Sequence, residues 1–187
     1  IWALAYKAIR GGRGYRGGND EIKIGPSAAA FSPDGRYLYL TDYVWMANFG
    51  TGGRWDYHLP GVVRLDYESD DRPTLFAGST KKGAEGDGDR QFRVPTSIDV
   101  DGKGRVYVSD HMNDRVQVFS PDGELVKSIR TRAPVKVRVH HRSGEIFVFS
   151  WKINTIHKKG DRGGKDLQPT LTRFGPLEDL GKPIVYE

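Results

Sequence analysis

The 187-residue sequence contains no cysteine, and it has no long apolar run. The absence of cysteine excludes disulfide bonds, thiolate metal sites and cysteine nucleophiles. No apolar run approaches the roughly 18 residues that a membrane-spanning helix requires, and no signal peptide is visible. The sequence starts at Ile1, directly in an apolar stretch, so we expect a fragment of a longer protein. The compartment stays open, with an extracellular or periplasmic location favoured.

The charge of the chain is only moderately unbalanced. Its 29 Lys and Arg residues exceed its 24 Asp and Glu residues, which gives a net charge of +5. An excess of this size favours anionic partners only where it is concentrated on one surface. Because 37% of the residues are hydrophobic, we expect a single domain over residues 1–187 with one sizeable core.

The clearest pattern lies at residues 86–129. Four short runs rich in Val, Ile, Tyr and Phe are separated there by Gly, Asp, Asn and Pro, at 97–100, 105–109, 115–119 and 124–129. Short runs of this composition with turn residues between them are typical of β-strands. The segment therefore predicts a four-stranded antiparallel meander.

The landmarks of this meander recur on both sides of it. An upstream copy places Pro26, Gly35 and Asp42 where the meander has Pro95, Gly104 and Asp110. A downstream copy begins at Pro134, and its Gly144 follows Gly104 by 40 residues, close to the ~40–45 residue period of propeller repeats. We predict upstream strands at 27–31, 37–40, 62–65 and 74–77, and downstream strands at 135–139, 144–148 and 171–174. The predicted units are an incomplete blade at 1–10, then 26–79, 91–130 and 134–187.

The order of these landmarks resembles the NHL repeat. The resemblance rests on Pro95, Ile98, Val100, the run 107–110, Asn113, Arg115, Val116, Val118, Phe119 and Gly123. It implies an all-β fold, a six-bladed β-propeller of four-stranded antiparallel blades. The chain would supply about three of these blades and an orphan strand at 1–9. An open β-sandwich is the alternative, but it explains the strands without explaining the periodic landmarks.

Two repeats are lengthened between their second and third strands. The first of these insertions spans 43–60, and the second spans 151–170. In propellers of this family, such connections and the linkers between blades emerge on one face, commonly the binding face. The segments 10–26, 43–60, 79–95 and 151–168 would then share it. They carry 14 Lys and Arg against 8 Asp and Glu, which leaves 15 against 16 elsewhere. Arg130, Arg132 and Lys136 fall into that remainder.

The candidate binding residues are aromatic and basic side chains of these segments, with one further histidine. They are Arg13, Arg16, Trp45, Arg54, Trp55, Tyr57, His58, His111, Trp151, Lys158, Lys159 and Arg162. Aromatic rings stack on sugars or bases, and cations pair with carboxylate, sulfate or phosphate groups. A tryptophan that only packs its loop onto the blade is the alternative for each ring. We predict a binding or scaffold module for a protein or an anionic polysaccharide, with nucleic acid less favoured.

An enzyme is the alternative function. The resemblance includes metal-dependent lactonases of the gluconolactonase family and amidating-enzyme lyases. In the lactonase-like enzymes, acidic and amide ligands lie just after the entry proline, where this chain has Ser27, Thr96 and Val135. Hydroxyl and alkyl groups do not form a cage for a hard cation. Enzymatic activity is left open and is not expected on these blades. No cofactor is predicted, and a Ca²⁺ or Zn²⁺ site would need ligands from outside this sequence.

Two polar segments have structural interpretations. Residues 85–89 begin like a calcium loop but lack its later glutamate, so we expect a linker between blades. Asp110 is predicted to form an Asx-type turn and to pair with Arg115. A catalytic base at Asp110 is the disfavoured alternative.

His58, His111 and His157 would have to converge from three loops to bind a metal, so solvated side chains are the favoured interpretation.

Overall fold

The computed structural model describes residues 26, 28–47, 54–81, 83–153 and 168–187, without the side chains of 42–47 and 54–59. The described residues form twelve β-strands and a short 3₁₀ helix at His111–Asn113. The strands are β1 (Ala28–Phe31), β2 (Tyr37–Ala47), β3 (Arg54–Asp66), β4 (Thr74–Gly78), β5 (Pro95–Val100), β6 (Val106–Asp110), β7 (Arg115–Phe119), β8 (Leu125–Arg130), β9 (Pro134–Val139), β10 (Ile146–Ser150), β11 (Thr170–Phe174) and β12 (Ile184–Tyr186). Within the described residues, no helix is long and apolar enough to cross a membrane.

The strands make three antiparallel sheets of four strands each, and each sheet follows chain order. The sheets are β1 to β4, β5 to β8 and β9 to β12. Strand β5 contacts both β1 and β9, so the first strands of the three sheets lie side by side. This arrangement confirms the all-β prediction and the four-stranded propeller blades.

The repeated glycines are explained by the turn between the first and second strand of each sheet. Gly35, Gly104 and Gly144 have φ values of 75°, 77° and 73°. A side chain disfavours this left-handed conformation, whereas glycine adopts it without steric cost. The glycine landmark in the sequence is therefore a requirement of turn geometry.

The core between the first and second sheets is partly aromatic. The Tyr39 and Phe76 rings lie edge to face with centroids 5.0 Å apart, and Phe76 lies 6.0 Å from Phe119 in the same geometry. Ile98 and Val108 of the second sheet complete this core with no exposed surface. Aromatic pairs in this geometry add about 0.5–1.5 kcal/mol beyond their area burial.

The core between the second and third sheets is mostly aliphatic. Tyr107 and Val116 of the second sheet pack there with Val137 and Val148 of the third. Successive strand residues point to opposite faces, so Val108 faces the first sheet while Tyr107 faces the third. Because the second sheet is covered on both faces, β6 and β7 are buried along their whole length.

The predicted strands agree with the observed ones to within two residues at every end except the two that border the first insertion. Strand β2 continues to Ala47 and β3 begins at Arg54, with Val44 opposite Tyr57. Most of the expected connection at 43–60 is thus a longer hairpin, because strand-forming residues continue on both of its arms. The strand β12 was not predicted, since three residues after a Gly- and Pro-containing loop give little signal. The strand expected at 1–9 lies outside the described residues.

Candidate binding face

One edge of the sheets collects the linkers and the connections between second and third strands. In the second sheet, Pro95 lies opposite Asp110, Asp110 opposite Arg115, and Arg115 opposite Arg130. The starts of β5 and β7 therefore lie beside the ends of β6 and β8. We call this edge, with the linker at 79–94, the linker face. The second sheet thus places both kinds of connection on one side, as the resemblance implied.

A buried ion pair lies at the linker face. Arg115 Nε donates to Asp110 Oδ2 at 2.8 Å, and the two side chains are 4% and 0% exposed. Asp110 Oδ1 accepts from the Arg93 N–H at 2.7 Å, and Oδ2 also accepts from Asn113 Nδ2 at 2.8 Å. Burial raises the pKa of the Asp110 carboxyl, while these three donors act in the opposite direction.

The predicted pairing of Asp110 with Arg115 is confirmed. The predicted Asx-type turn is wrong, because the Asp110 side chain makes no capping bond to the 3₁₀ helix that follows it. The carboxylate instead reaches across to the backbone N–H of Arg93 in the linker. Asp110 thus connects strand β6 to the incoming linker.

The remaining donors of Arg115 hold the linker itself. Nη1 donates to the Asp87 carbonyl at 2.9 Å, and Nη2 donates to the carbonyls of Gly88 and Gln91 at 2.9 and 2.8 Å. Asn113 Nδ2 adds a bond to the Gly86 carbonyl at 2.9 Å. The acidic segment at 85–89 is therefore a linker between blades, as predicted, and it folds around the buried Arg115 side chain.

His111 lies inside the linker face. Its side chain is 1% exposed, and ring Nδ1 lies 3.2 Å from the Pro134 carbonyl. The backbone N–H of His111 donates to the Val94 carbonyl at 3.2 Å. The expectation of a solvated histidine is therefore wrong, because the 3₁₀ helix turns the ring toward the entry of β9. Among the described residues, no group of three or more His, Asp or Glu side chains is arranged to hold a metal ion.

Of the other candidate residues, the structure describes the side chain of Trp151, only the backbone of five residues in β2 and β3, and none of the rest. Trp151 follows β10 and is partly buried. Trp45 lies in β2, while Arg54, Trp55, Tyr57 and His58 lie in β3, and their side chains are outside the described ones. Arg13, Arg16, Lys158, Lys159 and Arg162 also lie outside the described residues, as does His157. Strands β2 and β3, which carry Trp45, Trp55 and Tyr57, therefore pair with each other.

Arg130 and Arg132 belong to the linker face, although they lie outside the four loop-rich segments predicted from the sequence. Arg130 lies opposite Arg115 at the end of β8, and Arg132 follows it in the linker to β9. Both are exposed. This linker is so short that it does not stand out as a loop in the sequence. The reliable signal is the end of the fourth strand of the repeat.

The opposite edge of the sheets carries the turns between first and second strands and between third and fourth strands, and we call it the turn face. It is acidic, with eight exposed carboxylates against five exposed cations. The carboxylates belong to Asp34, Glu68, Asp70, Asp71, Asp122, Glu124, Glu178 and Asp179, and the cations to Arg36, Arg72, Lys103, Arg142 and Lys182. The described part of the turn face thus carries an excess of exposed negative charge.

The family model of the NHL repeat matches residues 92–119. These residues run from the end of the linker through β5 and β6 to the end of β7. The match therefore identifies one NHL repeat, which lies in the second sheet. The matched segment includes Asp110, Asn113 and Arg115, whereas the linker carbonyls that Arg115 bonds precede it.

Two curated proteins are similar to a short part of the chain. Protein lin-41 of Caenorhabditis elegans is 48% identical over 44 residues, which cover 24% of this chain and 4% of lin-41. Protein wech of Drosophila melanogaster is 54% identical over 41 residues, which cover 22% of this chain and 5% of wech. The chain therefore matches only a small part of the length of either relative.

Two solved structures share the fold at low sequence identity. A luciferin-regenerating enzyme superposes with a TM-score of 0.57 at 14% identity, covering 87% of this chain and 48% of that one. A chain of a nidogen/laminin complex superposes with a TM-score of 0.55 at 15% identity and the same coverage. The chain thus spans about half of each structure, and the likeness shows the fold alone.

Proposed function

We propose that these NHL-repeat blades form a binding module that recognises an acidic protein surface through the linker face. The observation that carries this proposal is the uneven distribution of charge along the chain. The segments assigned to the loop-rich side hold 14 basic against 8 acidic residues, and the rest of the chain holds 15 against 16. An anionic partner is attracted by one face and repelled by the other, which orients it during approach.

The construction of the linker face supports this proposal. Arg115 fixes the linker through three backbone carbonyls, and Asp110 fixes it through the Arg93 N–H. Loops held on a rigid sheet lose little conformational entropy when they bind a partner. The fold also occurs in one partner of a solved complex, that of nidogen with laminin.

A propeller hydrolase or lyase remains the alternative function, since a luciferin-regenerating enzyme shares the fold. Thr96 occupies a position where the resemblance places a metal ligand. Its hydroxyl donates to the carbonyls of Pro134 and Val135, at 3.3 and 2.9 Å. This side chain therefore ties β5 to the neighbouring β9. The enzyme hypothesis consequently depends on blades outside this sequence.

The proposal is tested by a matched pair of triple variants. Replacing Lys158, Lys159 and Arg162 with glutamine removes three cations from a segment that the sequence assigns to the loop-rich side. Replacing Arg72, Arg142 and Lys182 with glutamine removes three cations from the exposed turn face. Binding of fluorescein-labelled poly-glutamate is measured by anisotropy across a salt series, because exposed charges are screened over ~8 Å at physiological ionic strength.

We expect the loop variant to weaken poly-glutamate binding about tenfold, since three exposed ion pairs of about 0.5 kcal/mol each are lost. The turn-face variant should bind like the unmodified protein. Equal losses in the two variants would refute a localised site. Tighter binding of a heparin fragment than of poly-glutamate would assign the face to a polysaccharide, and metal-dependent lactone hydrolysis would favour the enzyme.

A further inference from the structure

A groove lies beside the linker face, between the third sheet and the linker that enters it. Its volume is about 380 Å³, within the ~300–1,000 Å³ range of ligand pockets. One wall is the segment from Arg130 to Arg132, and the floor is formed by β10, β11 and β12. Phe174 lines the groove and also belongs to the core between the second and third sheets, so the groove borders that core.

The floor of the groove carries an unsatisfied buried hydroxyl. Ser150 lines the groove and is 2% exposed, and its Oγ has no hydrogen-bond partner in the described part of the chain. Such a group costs about 1–3 kcal/mol when it is left unpaired. A hydroxyl in this state at the floor of a groove offers a hydrogen-bonding group to a polar ligand atom.

The floor changes from polar to apolar along the strands. Ser150 lies opposite Thr170 at the linker-face end, and Val185 lies opposite Thr172 in the middle. Phe174 lies opposite Ile146 at the far end. Four residues of a strand span about 13 Å, so the polar and apolar ends are separated by a few residues of an extended peptide.

The charged residues of the groove favour an anionic group. Arg130 and Arg132 are exposed and line the wall, against one carboxylate at Glu187. One Arg130 Nη1 donor is used by the Asn113 carbonyl at 3.2 Å. Arg132 has no hydrogen bond or ion pair within the residues that the structure describes. Its guanidinium is therefore available to a ligand carboxylate.

We propose that this groove binds an extended acidic peptide of a protein partner. One carboxylate of the peptide lies at the end lined by Arg132 and Ser150, and a neighbouring apolar side chain packs against Val185 and Phe174. This inference deepens the proposed function, on which it rests, by naming the peptide chemistry and the subsite. A peptide fits better than nucleic acid, because base recognition uses exposed aromatic platforms, and Phe174, the aromatic residue that lines the groove, is only 7% exposed.

The test uses the intact protein and two fluorescein-labelled hexapeptides, one alternating glutamate with leucine and one alternating glutamine with leucine. Anisotropy gives the dissociation constant for each. We expect R132Q to weaken the glutamate peptide about tenfold, the equivalent of one charge-assisted hydrogen bond. The glutamine peptide should bind more weakly and should not respond to R132Q. The matched control is R142Q, which removes an exposed arginine from the turn face.

Ser150→Ala supplies a second measurement that a merely structural serine would not satisfy. Removal of an unpaired buried hydroxyl should raise the melting temperature of the free protein, because the desolvation cost disappears. The same change should weaken the glutamate peptide about threefold, since a ligand hydrogen bond is lost. Stability and affinity therefore move in opposite directions if the proposal is right.

Unchanged affinity of the glutamate peptide in R132Q, or equal affinity of the two peptides, would overturn the proposal. An oligouridine RNA that binds with the same dependence on Arg132 and Ser150, where the peptide does not bind, would overturn it in favour of nucleic acid. If the Lys158, Lys159 and Arg162 triple variant loses poly-glutamate binding while R132Q keeps the peptide, the groove is wrong and the proposed function stands. Failure of both tests rejects both.

Discussion

Arg115 and Asp110 form an ion pair at 2.8 Å in which neither side chain is more than 4% exposed. Burying two charges costs several kcal/mol per ion unless their remaining donors and acceptors are satisfied. Here the guanidinium also bonds to three linker carbonyls, and the carboxylate accepts from Arg93 and Asn113. The pair therefore attaches the linker to the two central strands of its sheet.

Removal of one member of this pair should be strongly destabilising. We expect Arg115→Met to lower the free energy of unfolding by about 3–5 kcal/mol, because a buried carboxylate loses its counter-charge. Urea titration measures the change. The matched control is Arg36→Met, because Arg36 pairs with Asp66 at the surface, where such pairs contribute about 0–1 kcal/mol. Similar losses in the two variants would show that Arg115 acts as a surface residue.

Gly78 tests the close approach of two backbone segments. A Cβ built on Gly78 would meet the Phe92 ring at 2.7 Å and the Gly61 Cα at 2.8 Å, and the φ of Gly78 is +76°. Gly83 has nearly the same φ, +79°, with no atom within 4 Å of such a Cβ. Gly83→Ala therefore measures the left-handed backbone strain alone, about 1–2 kcal/mol.

We expect Gly78→Ala to cost more than Gly83→Ala in the same urea titration. The alanine methyl must displace both the backbone of strand β3 and the buried Phe92 ring, and overpacking of a core adds about 1–3 kcal/mol. A cost equal to that of Gly83→Ala would show that the strands relax around the methyl group. The difference between the two variants isolates the steric contribution.

Glu178 predicts a pH dependence of stability. A hydrogen bond from Lys103 Nζ, its own backbone and Arg105 lower the pKa of Glu178 from 4.5 to about 2. Because the pKa is lower in the folded state, the ionised carboxylate stabilises the fold above pH 4.5, and this contribution is lost as the pH falls toward about 2. Glu178→Gln should remove this component of the acid destabilisation.

The measurement for Glu178 is the urea midpoint of both proteins at several pH values between 4.5 and about 2. The unmodified protein should lose more stability over this interval than the glutamine variant. The difference should shrink with added salt, since the side chain is exposed and its charge is screened. Parallel curves for the two proteins would contradict the prediction.

The repeats were predictable because turn chemistry and strand pattern agree. Gly104 was recognised as a landmark, and the structure gives it the positive φ that requires glycine. The apolar run of Val106, Tyr107 and Val108 did not show which neighbouring sheet each side chain faces. A sheet covered on both sides is apolar on both faces, so only the neighbouring sheets distinguish them.

The site was less predictable than the fold. His111 lies in a short connection and was expected to be solvated, yet its side chain is buried, with the ring beside the Pro134 carbonyl. Arg130 and Arg132 were predicted to lie away from the binding face because they are outside the loop-rich segments. Their location at the linker face follows from the strand register, which puts Arg130 opposite Arg115. The hydroxyl of Ser150 lies in a groove between the third sheet and the linker that enters it, and no local pattern in the sequence reports on that geometry.

The second sheet contributes Val108 to one core and Tyr107 to the other, and no side chain belongs to both. A stack of this kind holds together by nearest-neighbour contacts. Under mechanical load applied across the sheets, we expect the boundaries to separate in succession, with each sheet still hydrogen-bonded internally. The mechanically weakest boundaries therefore lie between blades. The linker held by Arg115 crosses the boundary between the first and second sheets.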